Sequence, residues 1–266
     1  MSESTPSAGA EPVLELKRLT KRFGGVVALQ KMDLTVRKGQ IFGLIGPNGA
    51  GKTTIFNVVT GVYQPTEGQV AFEGSRLSGT KRFKVTKRGV ARTFQNIRLF
   101  QNMTATENVM VGADAHHRTG VFGAALGLPW HWIEERRGKQ NAAELLDFVG
   151  IGRRAEDYAK NLPYGDQRRL EIARALATNP RLLLLDEPAA GMNPAEKQSL
   201  QELIRKIRDQ GRTVLLIEHD MGLVMDLCDQ IAVLDFGQKI ADGSPREVQN
   251  NPAVIAAYLG APADAS

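Results

Sequence analysis

The chain opens with a short alternation of apolar and polar residues, Val13-Leu14-Glu15-Leu16, and the pattern returns at Met32-Asp33-Leu34-Thr35-Val36. A period of two predicts half-exposed strands. A polar residue at every second position suits an antiparallel sheet with one wet face better than a buried parallel sheet. The run Ile41-Phe42-Gly43-Leu44-Ile45 is apolar throughout and predicts a strand covered on both faces. It enters a glycine-rich segment that leaves as a helix over Thr53 to Val59. A turn at Pro65-Thr66-Glu67-Gly68 then precedes a short strand from Gln69 to Phe72.

From about residue 97 the apolar spacing becomes helical. Thr104-Ala105-Thr106-Glu107 has the spacing of a capping box, in which hydroxyl and carboxylate each satisfy an orphan backbone N–H. Asn141 to Val149 and Gln167 to Ala177 read as helices, and the Gly/Pro/Trp-rich segment 119–132 reads as a connection or insertion. After Pro180 strand and helix alternate again. The order is a buried strand Leu182 to Leu185, a helix Pro194 to Gln210 capped by Asn193 and stopped by Gly211, and a strand Thr213 to Ile217. A helix over 221–228, a hairpin around Asp235-Phe236-Gly237 and two short helices near 245–250 and 252–259 complete the pattern. No internal repeat is visible, and the whole predicts one α/β domain interrupted by a helical subdomain.

Composition narrows the function classes. With 266 residues, 42% hydrophobic and 24% charged, the chain is not disordered wholesale. Its longest run without a charged or strongly polar side chain, Val121 to Trp130, is about half of what a membrane-spanning helix needs. The first residues, MSESTPSAGAEP, have neither a basic start nor an apolar stretch, which predicts a flexible, cytoplasmic N-terminus over 1–11 and no secretory signal. A single cysteine, Cys228, leaves no internal disulfide and no thiolate metal cluster. Beyond the adjacent His116-His117 the four histidines form no ligand pattern, so no structural metal is expected. Trp130 and Trp132 flank His131 and are expected to anchor the packing of the helical subdomain. The net charge of +5 is too mild to predict a nucleic-acid partner, and the basic run Lys81 to Arg88 reads as a solvated face.

The strongest chemical signal is Gly46-Pro47-Asn48-Gly49-Ala50-Gly51-Lys52-Thr53, followed by Thr54, between the apolar strand and its helix. Glycines let the chain curl so that successive N–H groups face phosphate oxygens, and the helix N-terminus adds its positive dipole end. Lys52 would reach the β- and γ-phosphates, and the Thr53 hydroxyl would ligate Mg²⁺. This string predicts a nucleoside triphosphate site. Leu182-Leu183-Leu184-Leu185-Asp186-Glu187 supplies its complement: Asp186 at the end of a buried strand to hold Mg²⁺ through water, and Glu187 to polarise the attacking water.

Further segments carry a resemblance to the ATP-binding-cassette ATPases. Thr93-Phe94-Gln95 resembles their glutamine loop. Leu162-Pro163-Tyr164-Gly165-Asp166, running into Gln167 to Leu176, resembles their signature motif and its helix. His219 falls where the family keeps a switch histidine, and Phe23, twenty-nine residues before Lys52, where an aromatic stacks on adenine. The resemblance covers about residues 12–260. It implies an α/β fold with a RecA-like P-loop core (12–96 and 177–244), an antiparallel β subdomain, an inserted helical subdomain (97–176) and a C-terminal helical extension (245–266). It also implies ATP and Mg²⁺ as cofactors, catalytic roles for Glu187 and His219, and Gln95 as a third residue at the metal. Two nucleotides would be sandwiched head to tail between two subunits, each P-loop facing the other subunit's signature segment.

Two positions depart from the family's wording. Pro163 stands where Ser is usual, and it has neither hydroxyl nor N–H to offer a phosphate. Asn193 stands where the cross-interface loop usually carries Asp. Both favour a heterodimer with unequal sites over a homodimer. The wording of 162–174, Asp186 to Pro194, Leu216 to Met221 and Ala257-Tyr258-Leu259-Gly260 resembles one branch, the longer ATPase subunit of branched-chain amino-acid importers. That branch implies two transmembrane permeases, a second ATPase, an extracytoplasmic solute-binding protein acting indirectly, and a peripheral place on the cytoplasmic membrane face. Urea, amide or other amino-acid importers, a lipopolysaccharide exporter and non-transport cassettes are the alternatives.

Overall fold

The computed structural model describes residues 10–113 and 129–259, and within it the chain divides into two compact units, 1–85 with 184–266 and 86–183. In the first unit β1 (Pro12–Phe23) and β2 (Val26–Arg37) form a long antiparallel hairpin that β4 (Glu67–Phe72) and the two-residue β5 (Ser75–Arg76) extend in the order β2-β1-β4-β5. Leu14 faces Val36 on one side and Phe72 on the other, so its side chain lies in the covered face. The expected alternation is present, with Leu14, Leu16, Leu34 and Val36 buried. Both strands run on past it through charged residues.

The second sheet of this unit is built around β3 (Ile41–Ile45), parallel both to β8 (Thr213–Ile217) and to β9 (Gln230–Asp235). β10 (Gln238–Gly243) pairs antiparallel to β9 on one side, and β7 (Leu182–Asp186) follows β8 on the other, giving β10-β9-β3-β8-β7. Every residue of β3, β7 and β8 is buried. Helices account for the cover. α1 (Lys52–Val59), α6 (Pro194–Asp209), α7 (Met221–Leu227), α8 (Pro245–Gln249) and α9 (Pro252–Leu259) follow strands or the hairpin that ends the sheet. α6 is the clearest amphipath, burying Leu200, Leu203, Ile204 and Ile207 on one stripe. Asn193 caps it in a full capping box with Glu196, at 3.0 and 2.8 Å.

β7 starts in the second unit and ends in the first. Beside its start runs β6 (Val90–Arg92), where the Arg181 and Leu182 N–H groups both donate to the Gly89 carbonyl. The rest of the second unit is helical: α3 (Ala105–Ala113), α4 (Pro129–Phe148) and α5 (Tyr164–Leu176), preceded at the boundary between units by α2 (Arg82–Lys87). The capping box at Thr104 and Glu107 forms as the spacing predicts, at 3.2 and 2.7 Å. One expectation needs correcting. The backbone is already helical from Pro129, so residues 129–132 of the segment read as a connection are the first turn of α4, with proline at the position that requires no N–H. The rest of that segment, with His116 and His117, lies outside the described residues. No described helix is long and apolar enough to cross a membrane.

Candidate nucleotide site

The site of the first unit lies at the carboxyl ends of three neighbouring strands, where open α/β sheets bind ligands. β3 runs into the loop 46–51, β8 into Glu218 and His219, and β7 into Asp186 and Glu187. Because β8 stands between β3 and β7, the histidine emerges between the glycine loop and the two acids.

The loop demands its glycines. Gly46 has φ +146°, and a Cβ there would sit 2.1 Å from the Leu234 carbonyl oxygen; at Gly51, φ +103°, a Cβ would meet the Ala28 carbonyl at 2.8 Å. The hairpin turn of β9 and β10 supports the loop from outside, where the Gly237 N–H donates to the Ala50 carbonyl at 3.1 Å. Gly51 is the N-cap of α1 and no side chain caps that helix, which leaves an uncapped N-terminus suited to an anion. Thr53 and Thr54 occupy its first turn. Lys52 is buried, and its Nζ donates to the Gly46 and Pro47 carbonyls at 2.6 and 2.9 Å. Burial lowers its pKa, while the nearby carboxylates of Glu187 and Asp186 pull it back up.

Asp186 is buried at the end of β7. Glu187 follows with φ +46°, a left-handed conformation uncommon outside glycine. Two bonds hold it: its N–H donates to the Ile217 carbonyl at 2.9 Å, and its carbonyl accepts the Ala190 N–H at 3.2 Å. The exposed His219 ring approaches the Glu187 carboxylate, Nδ1 to Oε2, at 3.8 Å. Phe23 is partly exposed at the end of β1, edge-to-face with Tyr63 at 5.0 Å, and the Lys21 ammonium lies 4.8 Å from its ring.

Two residues here escape sequence reasoning. Tyr63 belongs to no motif and is found only through its contact with Phe23. Glu218 is 1% exposed; its Oε1 accepts the Ala189 N–H at 2.8 Å and its Oε2 the His219 N–H at 3.2 Å. Burial raises its pKa against the pull of those backbone donors. It links the loop after Glu187 to the strand end that carries His219. An acid directly after the apolar run 214–217, as Asp186 follows the leucines 182–185, is the signal that could have found it.

The second unit carries Gln95 and the segment 162–166. Leu162 and Pro163 lead into α5, with Pro163 as its N-cap, and Tyr164, Gly165 and Asp166 form its first turn. Pro163 makes no side-chain cap, and its carbonyl accepts the Gln167 N–H at 2.9 Å. Asp166 pairs with Arg154 at 3.2 Å, and the Gln167 side chain donates to the Leu162 carbonyl at 2.8 Å. Gln95 follows β6, its backbone carbonyl accepting from Arg168. Asn193 belongs to the first unit, where its side-chain oxygen is engaged in capping α6.

A glycine loop between a buried parallel strand and a helix, with two acids at the end of the next strand but one, is the arrangement of a P-loop nucleotide-binding protein. The family profile described as ABC transporter matches residues 29–190, and one described as Branched-chain amino acid ATP-binding cassette transporter matches 238–264. The high-affinity branched-chain amino acid transport ATP-binding protein BraF of Pseudomonas aeruginosa is 48% identical over 252 residues, 94% of this chain and 99% of that one. A solved ATP-binding cassette of an ABC transporter in its ADP conformation superposes with TM-score 0.82 at 30% identity, over 94% of this chain and 99% of that one. A dimeric cassette in a post-hydrolysis state, bound to ADP and phosphate, gives 0.74 at 26% identity over 88% and 99%. The chain belongs to the ABC transporter family, as an ATP-binding, ATP-hydrolysing subunit.

Proposed function

We propose that this chain energises an importer of branched-chain amino acids from the cytoplasmic face of the membrane, together with two transmembrane permeases and a second ATPase, while an extracytoplasmic binding protein delivers the solute. The observation that carries this reading is the pairing of a glycine loop and acid pair at neighbouring strand ends with a C-terminal segment, 238–264, that matches the branched-chain profile. The relative BraF, named for such transport, supports it along nearly the whole chain.

The roles follow from chemistry. Phe23 stacks on the adenine, and the loop 46–51, Lys52, Thr53 and Thr54 hold the phosphates. The Thr53 hydroxyl and the Asp186 carboxylate are hard oxygen donors of the kind Mg²⁺ takes, few enough to leave room for phosphate and water. When bound, Mg²⁺ would neutralise phosphate charge. Glu187 accepts the proton of the attacking water and His219 orients that water, while Gln95 reports the occupied site to the permeases through the helical subdomain 97–176. In a head-to-tail dimer, Leu162 to Asp166 and the loop ending at Asn193 complete the partner's site. Pro163, without hydroxyl or N–H, makes that partner site the weaker of two, which suits a heterodimer.

The test is recovery of the tagged chain from detergent-solubilised native membranes, with its companions identified by mass spectrometry. Two permeases, a second ATPase and a binding protein that stimulates ATP turnover when loaded with leucine are the expected outcome. Ribosomal or DNA-repair companions would end the transport reading. Stimulation by a urea-loaded binding protein and not by leucine would change the solute.

A further inference from the structure

Inside the second unit, Arg168 and Glu171 of α5 form an ion pair at 3.3 Å with side chains only 3% and 2% exposed. Such a pair is a weak source of stability, because desolvating two charges offsets most of their attraction. Burial accordingly raises the pKa of Glu171. What distinguishes this pair is where its remaining hydrogen bonds go. Arg168 Nη1 donates to the Phe94 carbonyl at 2.7 Å and Nη2 to the Gln95 carbonyl, while Glu171 Oε1 accepts the Phe94 N–H at 3.3 Å. The backbone that carries Gln95 is therefore gripped at three points by one helix. The guanidinium also faces the other way: Nε and Nη2 donate to the Tyr164 hydroxyl at 3.2 and 3.0 Å, and the ring centroid of Tyr164 lies 5.4 Å away. Tyr164 is 45% exposed and belongs to the segment 162–166.

We propose that Arg168 is a positioning residue that transmits the state of the signature segment to Gln95, with Tyr164 as its input and Glu171 as its anchor. The inference rests on the reading above, in which 162–166 meets the partner's nucleotide and Gln95 senses this chain's own. A displacement of Tyr164 on contact with that nucleotide moves its hydroxyl, and the planar fork passes the displacement to two consecutive carbonyls. Only arginine has the donor geometry for this. Lysine would keep the charge but is a single point that cannot bridge the phenol and both carbonyls.

The experiment is a double-mutant cycle of Tyr164→Phe and Arg168→Lys in the assembled, solute-stimulated transporter, with ATP turnover followed against ATP concentration. Lys52→Ala serves as the control for the reading beneath it. Misplacement of a sensing group costs rate and not binding, so Arg168→Lys should lower kcat by about 10- to 100-fold with KM for ATP within about twofold. Tyr164→Phe keeps the ring but removes the hydroxyl that accepts both Arg168 donors, and should lower kcat by roughly three- to tenfold, again at constant KM. The double variant should be no slower than Arg168→Lys alone, because both changes break one chain of contacts. Additive losses, unchanged kcat, or a rise in KM alone would overturn the proposal. If Arg168→Lys fails to fold, the kcat–KM split of the surface variant Tyr164→Phe decides. A Lys52→Ala complex as active as the wild type would remove the underlying reading and the proposal with it, whereas an inactive one leaves the cycle to judge the proposal alone.

Discussion

Glu187 shows how single residues are constrained at this site. Its left-handed backbone costs about 1–2 kcal/mol, and the bonds to Ile217 and Ala190 are what keep it there. The turn sets the direction in which the side chain leaves the backbone, so isosteric replacement changes the charge with little change in geometry. Glu187→Gln is expected to bind ATP normally and to hydrolyse it about 10²- to 10⁴-fold more slowly in single-turnover assays. Lys52→Ala is expected to lose the binding itself, read by fluorescent-nucleotide titration. Glu218 offers a pH test with a definite sign. Its folded pKa lies above the unfolded carboxylate value, so the folded state holds the proton more tightly. The stability it contributes therefore falls as pH rises from about 4.3 through the folded pKa, by up to about 1.4 kcal/mol per pH unit. Glutamine does not titrate, so the stability advantage of wild type over Glu218→Gln in urea unfolding should shrink steadily from pH 4 upward. A constant or growing advantage would contradict the assignment.

At the scale of elements, β3 and α7 are packed to the limit of one methyl group. A Cβ on Gly43 would lie 2.9 Å from Cys228 Sγ and 3.3 Å from Val224 Cγ1. Gly43→Ala should therefore cost about 1–3 kcal/mol through overpacking. Cys228→Ala in the same chain should recover much of it, an interaction that chemical denaturation of the four cycle members would measure. The same crowding buries the Cys228 thiol and drives its pKa far upward. Elements were legible where one physical demand dominated. β3 and, after Thr213, β8 are apolar because both faces are covered, and their ends are readable to the residue. β1 and β2 were read at less than half their length. Beyond the alternating segments the pairing is irregular between Leu16 and Leu19, and Arg18 and Lys31 take positive φ with their N–H groups donating to the Asp33 and Thr20 side chains, which breaks the period of two. β6 is three residues long, too short for any period to show.

At the scale of the assembly, the proposed head-to-tail dimer would set the segment with Pro163 against the partner's nucleotide. If Pro163 is what weakens the partner's site, Pro163→Ser should raise turnover of the assembled transporter, by a few-fold to about tenfold for one or two added hydrogen bonds to phosphate. The fold should survive, since Ser is a favoured N-cap and Pro163 already occupies the N-cap of α5. Unchanged turnover would mean that the asymmetry lies elsewhere.

What the sequence determined by itself was a set of local strings whose residue types suit phosphate and water: the glycine loop, the acid pair after a run of leucines and the histidine after β8, which the fold sets at the ends of three neighbouring strands. What only the tertiary structure decided is which groups share an environment. That β8 lies between β3 and β7, so that His219 comes within 3.8 Å of Glu187, follows from strand order. That Glu218 and the Arg168–Glu171 pair are buried and bonded to distant backbone follows from packing. Sequence carries such facts poorly, because a charged side chain is written the same way whether water or a carbonyl satisfies it, and only the folded chain determines which.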